Sequence, residues 1–187
     1  MLFLYMADAN SEHIKVSYED VHLAVVNACD TVIKDSYKPD ILIGISTGGL
    51  VVVKIVKACL EDYFKKEKIP TYVIGISYYD KNKNRMPEPI ITQQLDSDLE
   101  KKIEGAKVLI CDEVDDSRAT LEKASDYILG LRARELRILV AHMKDMPKDG
   151  RIPENVKFYY GKKMPPNWID YQWGFRELFL IKKNSGI

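Results

Sequence analysis

The chain has 187 residues, of which 46% are hydrophobic and 30% charged, so it is long enough for one domain with a full apolar core. Its 28 Lys and Arg residues equal its 28 Asp and Glu residues, which argues against a nucleic-acid-binding protein because such proteins carry a basic surface. Three cysteines without a CxxC pair, and the absence of any run near the roughly 20 apolar residues of a membrane span, predict a cytoplasmic protein with buried free thiols and no membrane partner.

The residues after position 16 alternate between apolar residues at helical spacing and short β-branched runs that are typical of buried strands. Ser17 is a candidate N-cap for the first helix pattern, and Pro39 lies beyond its end. In chain order, the elements predicted in the first half are a helix between these two residues, a strand at 41–45, a helix at 50–64 and a strand at 71–77.

The second half resumes this alternation after a long polar segment. Residues 79–98 contain two prolines and no sustained period, so we expect a long loop of the kind that is usually functional or disordered in a compact domain. The elements predicted beyond it are strands at 106–111, 136–141, 156–160 and 178–181, with a helix over the apolar positions 121–131.

This order of strands and helices indicates an α/β fold with a parallel sheet. In such sheets, ligands bind beyond the carboxyl ends of the strands. Three unusual segments each follow a predicted strand, at 46–49, 79–98 and 112–120. We therefore expect all three at the same edge of the sheet.

The strongest functional signal is a cluster of carboxylates that follows an apolar strand, formed by Asp112, Glu113, Asp115 and Asp116. Because neighbouring carboxylates repel one another, we expect a cationic or hydroxyl-rich ligand among them. Ser117 and Thr120 follow at a predicted helix N-terminus, where free N–H groups and the helix dipole favour a phosphate. The pattern predicts a ribose phosphate site; the alternative is a solvated acidic turn, against which the flanking strand and helix argue.

Residues 108–121 resemble the phosphoribosyl pyrophosphate (PRPP) signature of type I phosphoribosyltransferases, and the Glu-Val-Asp-Asp form with an arginine resembles fungal hypoxanthine-guanine enzymes. The resemblance implies a mostly parallel twisted sheet flanked by helices, with a small C-terminal hood. It implies that Asp112 and Glu113 hold the ribose hydroxyls, partly through Mg²⁺, and that Asp116 is the general acid/base at the purine N7. The implied 5′-phosphate loop comprises Asp116, Ser117, Arg118, Ala119 and Thr120, with Arg118 where the family commonly has glycine.

Two further segments resemble parts of this family that bind pyrophosphate. Ser46, Thr47 and Gly48 lie at the position of the pyrophosphate loop, where glycine lets the backbone approach an anion closely. The segment from Ser77 to Arg85 resembles the start of a mobile catalytic loop, and Arg85 matches a pyrophosphate-binding arginine of bacterial xanthine-guanine enzymes. The alternatives are an ordinary strand-to-helix turn and a flexible surface loop.

Three residues resemble the purine-binding residues of the family. Lys144 would donate to the purine O6 and so select 6-oxopurines over adenine, although a solvated lysine is the alternative. Trp168 would stack on the base, and the Ile169 carbonyl would accept from a 2-amino group. His142 is expected to pack or to support other residues, and Trp173 is expected to be structural.

The leading hypothesis is one domain over residues 1–187, with a core at about 38–145 and a base-recognition hood at about 150–187. It would transfer the phosphoribosyl group from PRPP to hypoxanthine or guanine, with xanthine a further candidate, and the resemblance implies a homodimer or homotetramer. The alternative is a PRPP-binding regulator without the chemistry, which predicts a DNA-reading module or a basic face that the sequence does not show. A prenyl-synthase diphosphate motif fits poorly, because such motifs lie on helices of all-α proteins.

Overall fold

The computed structural model describes residues 13–65, 68–82 and 84–174. Its elements in chain order are β1 (Ile14–Val16), α1 (Tyr18–Lys34), β2 (Ile41–Ser46), α2 (Gly49–Phe64), β3 (Thr71–Tyr79), β4 (Arg85–Gln93), α3 (Ser97–Ile103), β5 (Lys107–Asp115), α4 (Ala119–Gly130), β6 (Glu135–Lys144), β7 (Lys157–Met164) and β8 (Ile169–Tyr171), with a 3₁₀ turn at Gln172–Gly174. The strand predicted at 178–181 lies outside the described residues.

Six strands form one sheet in the order β4-β3-β2-β5-β6-β7. All neighbouring strands are parallel except the antiparallel pair of β3 and β4. The chain runs outward in one direction from β2 to β3, and in the other from β5 to β6 and β7. The pair β2 and β5 therefore marks the switch point of the sheet, beyond whose carboxyl edge α/β proteins bind ligands.

Helices cover both faces of the sheet, because the strands are apolar on both sides. Leu42 faces the core that contains α1 and α2, whereas Ile41 and Ile43 face the core that contains α3 and α4. The predicted start of α1 is confirmed: Ser17 caps the helix and Asp20 completes a capping box. The small parallel sheet of β1 and β8 joins the start of the described chain to the hood.

The prediction of a long loop over 79–98 is wrong. The segment contains β4 and the start of α3, with only a short connection between β3 and β4. Because β4 is an edge strand, Pro87 and Pro89 remove few N–H groups that the sheet needs, and their presence does not exclude a strand. Likewise, β5 continues to Asp115, so most of the acidic segment lies on the strand instead of after it.

The prediction of buried free thiols has a mixed outcome. Cys29 and Cys111 are buried free thiols as predicted, but Cys59 is only partly buried on α2, so that prediction was wrong for one residue.

In the part of the chain that the structure describes, no helix is long and apolar enough to cross a membrane.

The contact between β7 and α1 depends on Gly161. A Cβ atom at this position would lie 1.8 Å from the carbonyl oxygen of Ala24. We expect Gly161→Ala to lower the free energy of unfolding by roughly 3 kcal/mol, because the added Cβ atom would clash with the backbone of Ala24, which cannot move aside as a flexible side chain can. Chemical denaturation measures this change.

Gly130→Ala is the matched control. Gly130 ends α4, and a Cβ atom added to it would have no other atom within 4 Å, so its substitution is expected to leave stability unchanged or to raise it by up to about 1 kcal/mol. Equal effects at the two glycines would contradict the packing of α1 on β7.

Candidate active site

A pocket of about 310 Å³ opens at the carboxyl edge of the sheet. Of the residues predicted from sequence, the pocket lining includes Ser46, Asp112, Glu113, Asp116, Ser117, Arg118, Thr120 and Trp168. The other predicted residues lie around it without lining it; they are Thr47, Gly48, Arg85, Ala119, Lys144 and Ile169. Tyr78 and Tyr79, at the end of β3, complete one wall. Segments 46–49 and 112–120 therefore share this edge as predicted, but only the start of 79–98 does, because β4 runs antiparallel to β3 and leads away from the edge.

The acidic residues at the end of β5 have different electrostatic partners. The Asp116 carboxylate lies 3.0 Å from the Lys144 ammonium at the end of β6. Asp115 is fully buried and pairs with Arg118 and Lys148 at 2.7 and 3.4 Å. Asp112 and Glu113, in contrast, form no ion pair with any other residue that the structure describes.

This leaves two adjacent carboxylates without a protein cation inside the pocket. Burial, followed by repulsion from Glu113, raises the pKa of Asp112 well above its ordinary value. Its Oδ1 atom accepts one hydrogen bond, from the Glu113 N–H at 3.0 Å. The described residues contain no group of three His, Cys, Asp or Glu side chains that could hold a metal ion, so a cation here would take further ligands from water or a bound molecule.

The glycines after β2 allow this acidic strand to approach closely. A Cβ atom at Gly48 would lie 2.1 Å from the Glu113 carboxyl carbon, and one at Gly49 would lie 2.6 Å from the Cys111 carbonyl oxygen. The peptide bond between Ser46 and Thr47 is cis. The glycines that sequence analysis assigned to anion approach therefore also make room for the acids of β5.

The predicted phosphate loop leads directly into α4. Arg118 is the N-cap residue, in the left-handed region with φ of 71°, and no side chain caps the helix. The first N–H groups of a helix lack intrahelical partners, which suits an anion at this end. The Arg118 side chain is turned onto Asp115, with its guanidinium 5.2 Å from the Phe158 ring centre, so the residue takes a glycine-like backbone conformation while its charge stays within the loop.

Arg85 begins β4, next to the turn of the β3–β4 hairpin and beside the pocket. Its guanidinium pairs with Asp149, donates to the Tyr78 hydroxyl at 2.8 Å and lies 4.5 Å from the centre of that ring. Burial, and to a lesser extent the Asp116 carboxylate, raises the pKa of Tyr79. The segment that resembles a mobile catalytic loop is thus part of a β-hairpin, and its arginine is held at the edge of the site.

Of the predicted base-recognition residues, Trp168 lines the pocket, whereas Lys144 and Ile169 lie next to it. Lys144 is only 6% exposed, and its ammonium lies 5.7 Å from the centre of the Trp168 ring. Trp168 is 53% exposed, which leaves a ring face open to the pocket. Its carbonyl accepts from the Ile14 N–H at 2.9 Å, and Ile169 begins β8. Pairing of β8 with β1 therefore fixes the hood beside the acids.

A buried chain of hydrogen bonds supports this hood. The Tyr171 hydroxyl donates to the Glu113 carbonyl at 3.2 Å and lies 3.0 Å from Nδ1 of His142, which we assign as the protonated nitrogen because the hydroxyl hydrogen is already used. Trp173 stacks on Tyr171 at 4.5 Å. His142 and Trp173 thus occupy supporting positions, outside the pocket lining.

Sequence analysis missed the loop that follows β6. Lys148 donates to backbone carbonyls of the acidic segment, and the N–H groups of Asp149 and Gly150 donate to the Ser117 carbonyl at 3.0 and 3.1 Å. A Cβ atom at Gly150 would lie 2.6 Å from the Arg118 carbonyl carbon. In the sequence this loop has only the composition of a polar turn, and no motif or period distinguishes Lys148 from the other lysines.

Comparison with known proteins agrees with this geometry. Residues 17–179 match the phosphoribosyl transferase domain, and the chain belongs to that family. It is 29% identical to Xanthine phosphoribosyltransferase 1 of Saccharomyces cerevisiae, over 91% of this chain and 93% of the relative. It is also 29% identical to the hypoxanthine-guanine phosphoribosyltransferase of Schizosaccharomyces pombe, over 87% of this chain and 89% of that relative. A hypothetical protein from Neisseria gonorrhoeae, solved with bound ppGpp, superimposes with a TM-score of 0.78 at 26% identity, covering 95% of this chain and 98% of that chain. The predicted family and fold are confirmed.

The buried His142 predicts a pH-dependent stability. Burial lowers the pKa of His142 from 6.5 to about 4. Between these values the unfolded chain binds a proton that the folded chain does not, so stability falls as the pH falls through this window, by up to about 3 kcal/mol from this group. We expect His142→Gln to lose less stability than the wild type between pH 6.5 and pH 4, as measured by denaturant unfolding.

His22→Gln is the control, because His22 is exposed on α1. Its pH profile should follow that of the wild type. A His142→Gln profile parallel to the wild type would show that His142 does not contribute to the acid sensitivity.

Proposed function

We propose that this chain is a purine phosphoribosyltransferase that joins a 6-oxopurine to the ribose 5-phosphate of PRPP and releases pyrophosphate. The observation that carries the proposal is the Asp116 carboxylate, which lies 3.0 Å from the Lys144 ammonium in a pocket that the start of α4 and Trp168 also line. This arrangement offers an acid/base group next to a phosphate cradle on one side and a flat aromatic surface on the other.

The residues at the end of β5 suit PRPP. Asp112 and Glu113 would hold Mg²⁺ together with the ribose hydroxyls, which fits a cation that binds through one or two carboxylates and completes its shell with water and substrate oxygens. When bound, Mg²⁺ neutralises charge on the pyrophosphate leaving group. The N–H groups of residues 117–120 would bind the 5′-phosphate at the start of α4. Ser46, Thr47, Gly48 and Arg85 would contact the pyrophosphate.

The residues at and beside Trp168 suit a 6-oxopurine. Lys144 would donate to O6 of the base, which adenine lacks, and Trp168 would stack on the ring. The Ile169 carbonyl would accept from the 2-amino group of guanine. The names of the fungal relatives support xanthine, hypoxanthine and guanine as substrates.

In the proposed reaction the purine nitrogen forms a bond to ribose C1 while the bond from C1 to the pyrophosphate oxygen breaks. Asp116 faces N7 and takes the proton that the base loses as positive charge develops on it. Lys144 holds both the O6 atom and the Asp116 carboxylate, so it aligns the base with its proton acceptor. The protein therefore acts mainly through positioning and fixed charges.

The direct test is turnover followed by ultraviolet absorbance, with PRPP and Mg²⁺, against hypoxanthine, guanine, xanthine and adenine separately. We expect turnover of at least one 6-oxopurine and little or none of adenine. Asp116→Asn should lower kcat by about a hundredfold or more, because the amide cannot accept the proton.

Asp126→Asn is the matched control, because Asp126 is exposed on α4 and outside the pocket. It should keep wild-type activity. Absence of turnover with all four bases, despite measurable binding of PRPP, would contradict the proposal and favour a PRPP-binding regulator.

A further inference from the structure

Lys148 connects two segments of the site without lining the pocket. Its ammonium donates to the carbonyls of Lys144, Asp115 and Asp116 at 2.9, 2.8 and 2.7 Å. The Asp115 carboxylate lies 3.4 Å away, and the lysine side chain is only 13% exposed. An ammonium has three N–H donors, and here all three donate to backbone carbonyls, including those of Lys144 and Asp116.

These contacts are costly to lose, because the carboxylate next to Lys148 is buried. Asp115 is completely buried, and its carboxylate has two cationic partners, Arg118 and Lys148. Removal of one partner from a buried charge costs more than the attraction itself, since the remaining charge keeps its desolvation penalty. Burial also lowers the pKa of Lys148, against the opposing effect of Asp115. The cluster therefore has one favourable arrangement, with the three side chains together.

The same cluster fixes the backbone of the phosphate loop. Arg118 occupies a left-handed conformation that is favourable mainly for glycine, and its guanidinium holds Asp115 through Nη2 at 2.7 Å and Nε at 3.2 Å. Beyond Lys148, the N–H groups of Asp149 and Gly150 bind the Ser117 carbonyl. The loop after β6 and the loop after β5 are thus tied at several points.

We propose that Lys148 is a positioning residue, which holds the backbones of Lys144 and Asp116 on one ammonium and so sets the separation of the two side chains that face the purine. This inference rests on the proposed function and extends it to a residue that contacts neither substrate. Displacement of a reacting group by about 1 Å costs on the order of a hundredfold in rate. The rate is therefore expected to depend strongly on the ammonium that holds both backbones.

The test compares Lys148→Met with Lys163→Met. Lys163 also contacts the loop after β6, through Asp145, but its side chain is half exposed, so it is the matched control. We expect Lys148→Met to lower kcat by roughly tenfold to a hundredfold. The KM for PRPP should stay within about threefold of the wild type, because Arg118 still holds the phosphate loop through Asp115 and the residues at 112–113 and 46–48 are untouched. Lys163→Met should behave as the wild type.

Loss of stability is separated from loss of position in two ways. Each assay is run at a temperature where circular dichroism shows the variant to be folded, so that a lower melting temperature alone does not reduce kcat. The variant Lys148→Arg keeps a cation beside Asp115, but no nitrogen of a guanidinium carries three N–H donors, so it cannot hold all three carbonyls in the same way. We expect Lys148→Arg to keep most of the wild-type melting temperature but to show the low kcat.

A kcat for folded Lys148→Met within threefold of the wild type would overturn the positioning role. A kcat for Lys148→Arg within threefold of the wild type would also overturn it, and this variant decides the question if Lys148→Met does not fold. Absence of turnover in the wild-type protein would instead overturn the proposed function, and the role of Lys148 with it.

Discussion

The structure depends on how four carboxylates are accommodated at the end of one strand. Asp115 is buried and held by Arg118 and Lys148, and Asp116 is paired with Lys144. Asp112 and Glu113 have no cationic partner among the described residues, although burial raises the pKa of Asp112. Because uncompensated adjacent charges oppose folding, Asp112 and Glu113 are the part of the acidic segment whose charge the described residues do not balance.

The topology of the sheet supplies the partners. The switch point between β2 and β5 brings the turn after β2 against the acidic strand, and Gly48 and Gly49 allow the close approach. The next strand, β6, ends at Lys144, and the loop beyond it returns Lys148 to the acidic segment. The hood is then fixed by pairing of β8 with β1 and by the hydrogen bond from Tyr171 to the Glu113 carbonyl. Each layer of the fold thus contributes to one electrostatic arrangement.

Sequence analysis predicted the parts of this arrangement that depend on local patterns. The buried strands follow from β-branched runs, α1 from its capping box, and the pocket edge from the position of the acidic segment after an apolar strand. It missed β4, because the tolerance of Pro87 and Pro89 depends on the strand lying at an edge. It also missed Lys148, whose partners are 32 and 33 residues away and which no periodicity marks. Contacts that only the tertiary fold creates were beyond its reach.

The central claim is that Asp112 and Glu113 are kept free of protein cations in order to bind PRPP with Mg²⁺. Calorimetric titration of PRPP, with and without Mg²⁺, tests it on the wild type and on the double variant Asp112→Asn with Glu113→Gln. The account predicts that the wild type binds PRPP tightly only when Mg²⁺ is present, and that the double variant loses this dependence together with most of the affinity. Equal affinity for PRPP with and without Mg²⁺, unchanged in the double variant, would contradict it.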